Sequence, residues 1–597
     1  MKKYIVGINL PLKSKAHESG VTLVDMAGNI IFSVNEERFS RIKIDGDFPE
    51  KSIAMMFAYT GVKPEEIAYA AVPTINTSQK IIRFLEFLWR EKKAELFSPG
   101  LYQAFFLLLK REKQAAKIVN SEVGGFVIKY FWLDFIKNNF PHAKIIKVDH
   151  HLAHAAGAYY TSPWEDALIL TIDGAGNYLT SIVANGKGGR IKVIDKSFVP
   201  NSLGSFWGSV TRVCGFKSGT RHGGKVTGLA ARGNYRVLIE KFRKIVWCEG
   251  MRVKTQDEYF FDPKKFIPDW NSYEPERLKS FIGDATREDI AAAAQYRLNE
   301  VVLELIRNAR KVNANNKIVL AGGVFANVLL NQKILELSEI DDVYIFPAMS
   351  DAGLACGAAL KVLADIKSQS GDRLLPQRLK NVYLGPDYKD TEIIQSLNDF
   401  KLKYKKLAEP AKEIAKLIYD NKIIAFYSSR MEYGPRALGS RSIIYAPIDP
   451  TVNDWLNKKL NRSEFMPFAP VTMIEYIKDC YQEIADDPVA AKFMTITYHC
   501  TDKMKEQAPA CVHIDGTARP QVIKRDDNPY YYDIINEYYK LSGIPTLINT
   551  SFNMHEEPIV ASPVDAIRAF LDSGIDYLVM ENYICGFEDN KDLIFQK

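Results

Sequence analysis

Short apolar runs alternate with longer amphipathic stretches along most of the chain. Residues 4–10 and 21–33 have the composition of strands, and the polar segment Lys13–Ser19 between them predicts a hairpin loop. A helical pattern covers Arg287–Lys311. Three further apolar runs predict buried strands, namely Ala167–Ile172, Lys317–Leu320 and Val343–Phe346. This alternation of strands and helices predicts an α/β architecture.

The length of 597 residues predicts two or three domains, and no internal repeat is evident in the sequence. Polar residues, glycine and proline crowd together near Asp365–Lys380. We therefore predict one domain over residues 1–375, with an insertion at about 80–140, and a second over 376–597. The net charge of +6 is small for this length, so a nucleic-acid partner is not expected.

Seven cysteines occur without a CxxC pair, which favours a reducing compartment over a disulfide framework. The first residues become polar too early for a signal peptide, and no run reaches about 18 consecutive apolar residues. A cytoplasmic protein without a transmembrane segment is therefore expected.

The segment Lys80–Lys117 is basic, with nine Lys or Arg against four Glu, and aromatic and leucine residues are interleaved. An inserted helical hairpin packed on the body explains this pattern. A cap over an acceptor site and a helix lying on a membrane surface are alternative interpretations.

The sequence Asp149-His-His-Leu-Ala-His154 opens a helical pattern in which His150 and His154 share one face. His151 and His154, three residues apart, are an alternative pair. Asp173 and Asp351 each follow a predicted strand, where α/β enzymes build their sites. Two histidines with two aspartates suit a divalent transition metal such as iron, manganese or zinc.

Two glycine-rich segments are candidates for contacts with a nucleotide. Ala321–Asn327, which contains Gly322 and Gly323, follows a predicted strand and opens a helix, where backbone N–H groups can approach phosphate. Gly219–Val226 nearly fits a P-loop, but Val226 replaces the hydroxyl residue that reaches magnesium, so a Walker A site is rejected. Lys225 can still line a phosphate pocket.

Arginines and small residues are concentrated in the second half of the chain. Arg430, Arg436 and Arg441 lie within thirteen positions of a segment shaped by glycine and proline. Such a cluster is repulsive unless anions neutralise it, because arginine binds phosphate in bidentate fashion. Further polar candidates follow it, namely Arg462, Arg519, Asn549, Ser551 and Asn553. Together they predict a site for a polyanion such as ATP with a second phosphate.

These motifs, in order, resemble the NodU/CmcH family of carbamoyltransferases. The resemblance rests on DHHLAHAAGAYYTSPWEDALILTIDGAG, GKVTGLAARG, LAGGVFAN, SDAGLACGAA, RMEYGPRALGSRS, DGTARPQ and NTSFNMHEEPIV, and it extends to about Phe570. It implies an N-terminal domain of the ASKHA type and a YrdC-like C-terminal domain. It also implies that carbamoyl phosphate and ATP form carbamoyl adenylate in the second domain, and that a metal-assisted step in the first carbamoylates an acceptor hydroxyl.

The resemblance assigns roles to individual residues. It implies His150, His154, Asp173 and Asp351 as ligands of a metal, iron by family, with Mg²⁺ accompanying ATP. His17 becomes the candidate base at the acceptor, and Arg436 and Arg441 become candidate catalytic residues. The implied substrate-binding residues are Gly322, Gly323, Asn327, Asn331, Arg462, Arg519, Asn549, Ser551 and Asn553, with Lys225 as a candidate from its own segment.

The chain departs from the family pattern at Leu460 and Met466, where relatives carry lysine and arginine, and at Glu556, where they carry glycine. The acceptor stays open between an antibiotic, a toxin, another metabolite and a glycan, and the oligomeric state stays open, with a homodimer as one option. Two alternative functions are a tRNA threonylcarbamoyl-modification enzyme and a non-catalytic nucleotide-binding regulator.

Overall fold

The computed structural model describes residues 3–10, 18–74, 133–260, 276–460 and 467–596. It confirms a mixed α/β protein, which is built on two five-stranded sheets and one eight-stranded sheet. His17, Arg462, Met466 and the basic segment Lys80–Lys117 lie outside the described residues. No helix in the described part of the chain is both long and apolar enough to cross a bilayer.

The first sheet contains β1 (Tyr4–Asn9), β2 (Gly20–Asp25), β3 (Ile30–Asn35), β4 (Ile67–Val72) and β5 (Lys144–Lys147) in the order β3-β2-β1-β4-β5. β1, β2 and β3 are antiparallel neighbours, whereas β1, β4 and β5 are parallel. The prediction of one strand over 21–33 is wrong. Asp25 accepts three backbone hydrogen bonds, from Ala27, Gly28 and Asn29, and this turn divides the segment into β2 and β3.

The helices accompanying the first sheet are α1 (Glu37–Ser40), α2 (Glu50–Thr60) and a helical segment at 133–139, followed after β5 by α3 (His150–Thr161). The second sheet and its hairpin contain β6 (Asp166–Gly176), β7 (Leu179–Lys187), β8 (Arg190–Phe198), β9 (Val246–Glu249), β10 (Arg252–Thr255), β11 (Lys317–Ala321) and β12 (Asp342–Ile345). Its helices are α4 (Leu203–Val213), α5 (Gly223–Leu229), α6 (Ile239–Ile245), α7 (Glu276–Ile282), α8 (Arg287–Val312), α9 (Val328–Leu335) and α10 (Leu354–Gln369).

The second sheet repeats the topology of the first, although the sequence has no evident repeat. Its order is β8-β7-β6-β11-β12, with an antiparallel meander β6-β7-β8 and β11 and β12 added in parallel. In both five-stranded sheets the last parallel strand leads to a helix, with α3 after β5 and α10 after β12. These two helices pack against each other, and Gly157 and Gly357 stand at their closest approach. The contact brings their N-terminal ends into one region.

The eight-stranded sheet has the order β13-β22-β21-β14-β15-β20-β16-β19. Its strands and the small pair β17-β18 are β13 (Lys405–Lys406), β14 (Ile424–Tyr427), β15 (Arg441–Tyr445), β16 (Ala469–Met473), β17 (Tyr498–His499), β18 (Thr517–Ala518), β19 (Gln521–Ile523), β20 (Thr546–Ser551), β21 (Tyr577–Met580) and β22 (Tyr583–Gly586). Its helices are α11 (Asp390–Asp399), α12 (Pro410–Tyr419), α13 (Val452–Lys459), α14 (Ile477–Cys480), α15 (Asp502–Gln507), α16 (Pro529–Ser542) and α17 (Pro563–Ser573). Asn549 and Ser551 lie inside β20.

The connection between the two halves follows α10. The N–H groups of Gln377 and Leu379 donate to the Tyr160 and Thr161 carbonyls of the first half, and the N–H of Gly385 donates to the Met431 carbonyl of the second. The predicted division at residue 375 falls just before these contacts. Because the connection bonds to both halves, it holds them together as well as linking them in sequence.

Gly357→Ala tests the contact between α3 and α10. A Cβ at Gly357 would stand 1.8 Å from the Ala153 carbonyl oxygen, so the helices must separate. We expect a loss of about 1–3 kcal/mol in the free energy of unfolding, measured by urea denaturation. Gly208→Ala in α4 is the matched control, since the nearest atom to its new Cβ lies 3.9 Å away and alanine favours helix. Equal stability of the two variants would contradict the close contact.

Candidate active site

His150, His154, Asp173 and Asp351, hereafter the His/Asp cluster, converge although they come from three elements. The Nε2 atoms of His150 and His154 both lie 3.2 Å from Asp173 Oδ2. The same two atoms lie 3.6 and 3.5 Å from Asp351 Oδ1. His151 turns away, with its Nδ1 2.7 Å from Thr171 Oγ1, so the pair four residues apart is the one that the structure assembles.

Local contacts hold the first two members of the cluster at the start of α3. Asp149 caps the helix by accepting from the N–H of Leu152 at 2.8 Å, as its place before the helical pattern suggests. The N–H of His150 donates to Asn177 Oδ1 at 3.0 Å. Gly176 stands against the His150 ring, where a Cβ would come within 2.1 Å of the ring carbons. This glycine therefore leaves room for the imidazole.

Gly322 and Gly323 lie beside the His/Asp cluster in the described structure. Asp173 Oδ1 accepts from the N–H groups of Gly174 at 2.8 Å and Gly323 at 3.3 Å, which fixes the carboxylate. Gly322 has a φ of 99°, and a Cβ there would stand 2.2 Å from the Ile172 carbonyl oxygen. Gly322 thus lets the segment after β11 approach β6 closely, and the N–H of Gly323 holds the Asp173 carboxylate.

Asn327 and Asn331 make structural contacts. Asn327 Oδ1 accepts from the N–H of Leu330 at 3.0 Å and caps α9. The Asn331 side chain is fully buried and donates to the carbonyls of Phe325 at 2.8 Å and Thr495 at 2.7 Å. The bond to Thr495 joins the two halves of the chain. Neither asparagine lines the central cavity described below.

The His/Asp cluster fits a divalent ion. The four separations between an imidazole nitrogen and a carboxylate oxygen run from 3.2 to 3.6 Å, and all four donor atoms lie within 4.8 Å of one another. Neighbouring donors of an ion bound at about 2.1 Å lie about 3–3.4 Å apart. Burial alone would lower the pKa of His154, but its hydrogen bonds with Asp173 and Asp351 raise it to about 9. The carboxylates thus stabilise positive charge at the point where an ion would lie. The mixed nitrogen and oxygen donors suit a transition metal.

A cavity of about 330 Å³, hereafter the central cavity, lies between the two halves. Five of the sequence-predicted residues line it, namely Lys225, Arg436, Arg519, Ser551 and Asn553. The volume falls in the range of small-molecule sites. Other residues that line it were not predicted from the sequence, including Lys43, Arg221, His222, His513 and His555. Its cationic and polar lining suits an anionic ligand.

The segment 430–441, hereafter the arginine loop, folds around a buried carboxylate. Glu432 Oε1 accepts from the N–H groups of Leu438, Ser440 and Arg441 at 2.7–3.1 Å. Arg436 projects into the central cavity, and its buried Nε has no hydrogen-bond partner among the described residues. Burial lowers the pKa of Arg436 to about 10. A desolvated cation in this position is stabilised by a bound anion.

Arg441, the last residue of the arginine loop, and Asn549 in β20 do not line the central cavity. The Arg441 guanidinium donates to the Ser428 carbonyl at 2.8 Å and lies 3.6 Å from the centroid of the Tyr427 ring. Asn549 Nδ2 donates to the Ala437 carbonyl at 3.2 Å. In the described structure both side chains therefore support the loop that carries Arg436.

The arginine loop rests on the residues around the cluster member Asp351. The Tyr433 hydroxyl donates to the Ala352 carbonyl at 2.6 Å. A Cβ at Gly434 would lie 3.2 Å from the Pro347 carbonyl oxygen, and the Gly434 carbonyl accepts from Arg38 at 2.6 Å. The loop that carries Arg436 and the loop that carries Asp351 therefore contact each other directly.

Comparison with protein families identifies the chain. A model described as the carbamoyltransferase N-terminus matches residues 5–360, and a model described as the carbamoyltransferase C-terminus matches residues 415–586. The chain belongs to the carbamoyltransferase family. The resemblance predicted from the sequence motifs is thereby confirmed, and the protein is a carbamoyltransferase enzyme, so the non-catalytic alternative is not supported.

Curated relatives match nearly the whole carbamoyltransferase. It is 30% identical to the nodulation protein NolNO of Sinorhizobium fredii, over 96% of this chain and 80% of the relative. It is 29% identical to the uncharacterized protein MJ1058 of Methanocaldococcus jannaschii, over 96% and 98% respectively. Among solved structures it is similar to component A of the Acidaminococcus fermentans (R)-2-hydroxyglutaryl-CoA dehydratase, at 14% identity over 60% of this chain and 97% of that chain. The TM-score for this pair is 0.32.

His154→Ala tests the His/Asp cluster as a metal site. After incubation with Fe²⁺, Mn²⁺ or Zn²⁺ and desalting, we expect about one ion per chain in the parent protein and an affinity at least about 100-fold weaker in the variant, since even outer-shell changes cost 10–100-fold. Elemental analysis measures the ion, and its stabilising effect on the melting temperature gives a second readout. His142→Ala, at an exposed position, is the control. Equal metal retention by both variants would contradict the assignment.

Proposed function

We propose that this carbamoyltransferase is ATP-dependent. It forms carbamoyl adenylate from carbamoyl phosphate and ATP in the central cavity, and then transfers the carbamoyl group to an acceptor hydroxyl beside the His/Asp cluster. The observation that supports the proposal most strongly is the contact between the two candidate sites. The loop that presents Arg436 to the cavity is hydrogen-bonded through Tyr433 to Ala352, the neighbour of Asp351.

The first step requires strong stabilisation of negative charge. Water attacks the carbamoyl carbon of carbamoyl phosphate, which releases phosphate and gives carbamate, and a carbamate oxygen then bonds to the α-phosphorus of ATP as pyrophosphate leaves. Lys225, Arg436 and Arg519 line the cavity and would bind the phosphate oxygens, with magnesium accompanying ATP. Ser551 and Asn553 offer hydrogen bonds on the same wall. These fixed cations would thus replace the water molecules that solvate the phosphate oxygens of the substrates.

The second step forms a bond between the acceptor oxygen and the carbamoyl carbon, while AMP leaves and the hydroxyl proton passes to a base. His150, His154, Asp173 and Asp351 would hold a divalent ion, iron by family, which acts as a Lewis acid when bound. His17 is the proposed proton acceptor from its sequence position. Its neighbour Glu18 accepts from Ser350 Oγ at 2.7 Å and from the N–H of Ala352 at 3.0 Å. Glu18 therefore lies against the loop that carries Asp351, which supports a role for this part of the chain.

The acceptor is proposed only by class, as a hydroxylated small molecule or glycan. The basic segment Lys80–Lys117, for which a cap over the acceptor site is one interpretation, lies outside the described residues. The remaining candidate residue of the phosphate site, Arg462, lies outside them as well. Mass spectrometry of a metabolite extract incubated with enzyme, ATP and isotope-labelled carbamoyl phosphate would identify the acceptor by its mass increase.

Two substitutions separate the proposed steps. Arg436→Ala should reduce carbamoyl-phosphate-dependent pyrophosphate release by about 100-fold or more, because a fixed charge near the reacting phosphates is lost. It should leave transfer from supplied carbamoyl adenylate within a few-fold. His150→Ala should have the opposite effects. Pyrophosphate release and product formation are followed by coupled assay and chromatography.

Arg525→Gln is the matched control for Arg436→Ala, since Arg525 is an exposed arginine of the same half, ion-paired with Asp533. It should leave both steps unchanged. Loss of the same step in the Arg436 and His150 variants would contradict the proposed division of the reaction.

A further inference from the structure

His513 is a histidine of the central cavity that the sequence patterns did not single out. It lines the cavity, and its side chain is 10% exposed. Its Nδ1 lies 3.1 Å from Asp515 Oδ1. Its Nε2 is buried and has no hydrogen-bond partner among the described residues. A buried polar atom without a partner at the wall of a ligand cavity calls for a ligand that will satisfy it.

A tight turn fixes this histidine and its carboxylate. The N–H of His513 donates to the Thr517 carbonyl, and the N–H of Gly516 donates to the His513 carbonyl, both at 2.8 Å. Asp515 Oδ1 also accepts from the N–H of Thr517 at 3.0 Å and from its hydroxyl at 2.6 Å. Burial opposes ionisation of Asp515, but the hydrogen bonds with His513 and Thr517 lower its pKa to about 2. Asp515 is therefore a carboxylate at neutral pH.

An ionised Asp515 determines which nitrogen of the neutral imidazole carries the proton. A carboxylate only accepts hydrogen bonds, so Nδ1 must be the protonated nitrogen and Nε2 keeps its lone pair. The pairing of a histidine with a carboxylate that orients it is the arrangement that general bases use. Here the available lone pair belongs to a residue that lines the central cavity.

The other two histidines of the cavity are differently placed. His222 Nε2 lies 3.3 Å from Glu556 Oε1, and His555 Nε2 lies 3.6 Å from the same oxygen. Both Nε2 atoms therefore face a carboxylate, whereas His513 uses Nδ1 for its carboxylate and keeps Nε2 for another partner. Of these three histidines, His513 is therefore the candidate for accepting a proton from a ligand in the cavity.

We propose that His513, oriented by Asp515, accepts the proton of the water that hydrolyses carbamoyl phosphate in the central cavity. This inference rests on the proposed function and adds a residue to its first step. Water oxygen bonds to the carbamoyl carbon, the bond from that carbon to the phosphate oxygen breaks, and the water proton passes to Nε2. The products are carbamate and phosphate, and the proton returns to solvent or to phosphate when His513 is regenerated. The base acts on water alone, so the later attack of carbamate on ATP does not need it.

Free carbamate, supplied as an ammonium carbamate solution, bypasses the proposed step. In His513→Gln, we expect phosphate release from carbamoyl phosphate to fall at least about 100-fold, the usual scale of general-base catalysis. Carbamate-dependent exchange of labelled pyrophosphate into ATP should stay within a few-fold of the parent rate. Asp515→Asn should give a smaller loss in the first assay and none in the second. His499→Gln, at an exposed position outside the cavity, is the control.

The pH profile provides a readout that a purely structural role would not change. A general base gives a parent rate of phosphate release that rises with pH, and His513→Gln should lose this rise. Other charged or titratable groups also line the cavity, namely Lys43, Arg221, His222, Lys225, Arg436, Cys511, Arg519, His555 and Glu556. They remain in the variant, so a rise that survives substitution belongs to them and contradicts the inference.

The outcomes separate the two proposals. If the parent enzyme releases no phosphate from carbamoyl phosphate, the proposed function itself fails. If the parent is active and His513→Gln keeps phosphate release, His513 is not the proton acceptor. If His513→Gln loses carbamate-dependent exchange as well, His513 supports binding or folding of the cavity, and the inference is again overturned.

Discussion

The hydrogen bond from the Tyr433 hydroxyl to the Ala352 carbonyl joins the parts of the molecule on which the chemistry depends. On one side is the arginine loop, shaped by the buried Glu432 carboxylate and carrying Arg436. On the other side is the loop that carries Asp351 after β12. Gly434, with a φ of 107°, lets the arginine loop approach Pro347 closely. This junction helps to fix the position of the central cavity relative to the His/Asp cluster.

The two sides of this junction favour ligands of opposite charge. Asp173 and Asp351 face two imidazoles, so their carboxylates favour a cation between them. Most of the charged side chains that line the central cavity are cations, and Arg436 lies there desolvated. In the proposed reaction, an anionic intermediate made in the cavity would be transferred beside a cluster that favours a cation. Such a reaction, through a labile carbamate and its adenylate, would benefit from having both sites in one chain.

Periodicity and motif order predicted much of this architecture. The spacing of His150 and His154 and the positions of Asp173 and Asp351 after apolar runs anticipated the four residues that the structure brings together. The repeated topology of the two five-stranded sheets was not predictable. Strand order is set by tertiary pairing, and the segments that form the two sheets do not share a sequence pattern. Likewise, Arg441 and Arg436 look equivalent in sequence, and only burial distinguishes the one that supports the loop from the one that lines the cavity. His513 was missed because an unsatisfied ring nitrogen is a property of packing.

The proposed reaction requires the cavity to activate carbamate on the α-phosphorus of ATP. Phosphorus-31 NMR of the enzyme with its metal, ATP, Mg²⁺ and carbamoyl phosphate follows every phosphorus-containing product of this step. We expect AMP and pyrophosphate, formed only when carbamoyl phosphate is present, together with one phosphate from each carbamoyl phosphate consumed. Formation of ADP, or turnover of carbamoyl phosphate that leaves ATP intact while an acceptor is carbamoylated, would rule this activation out.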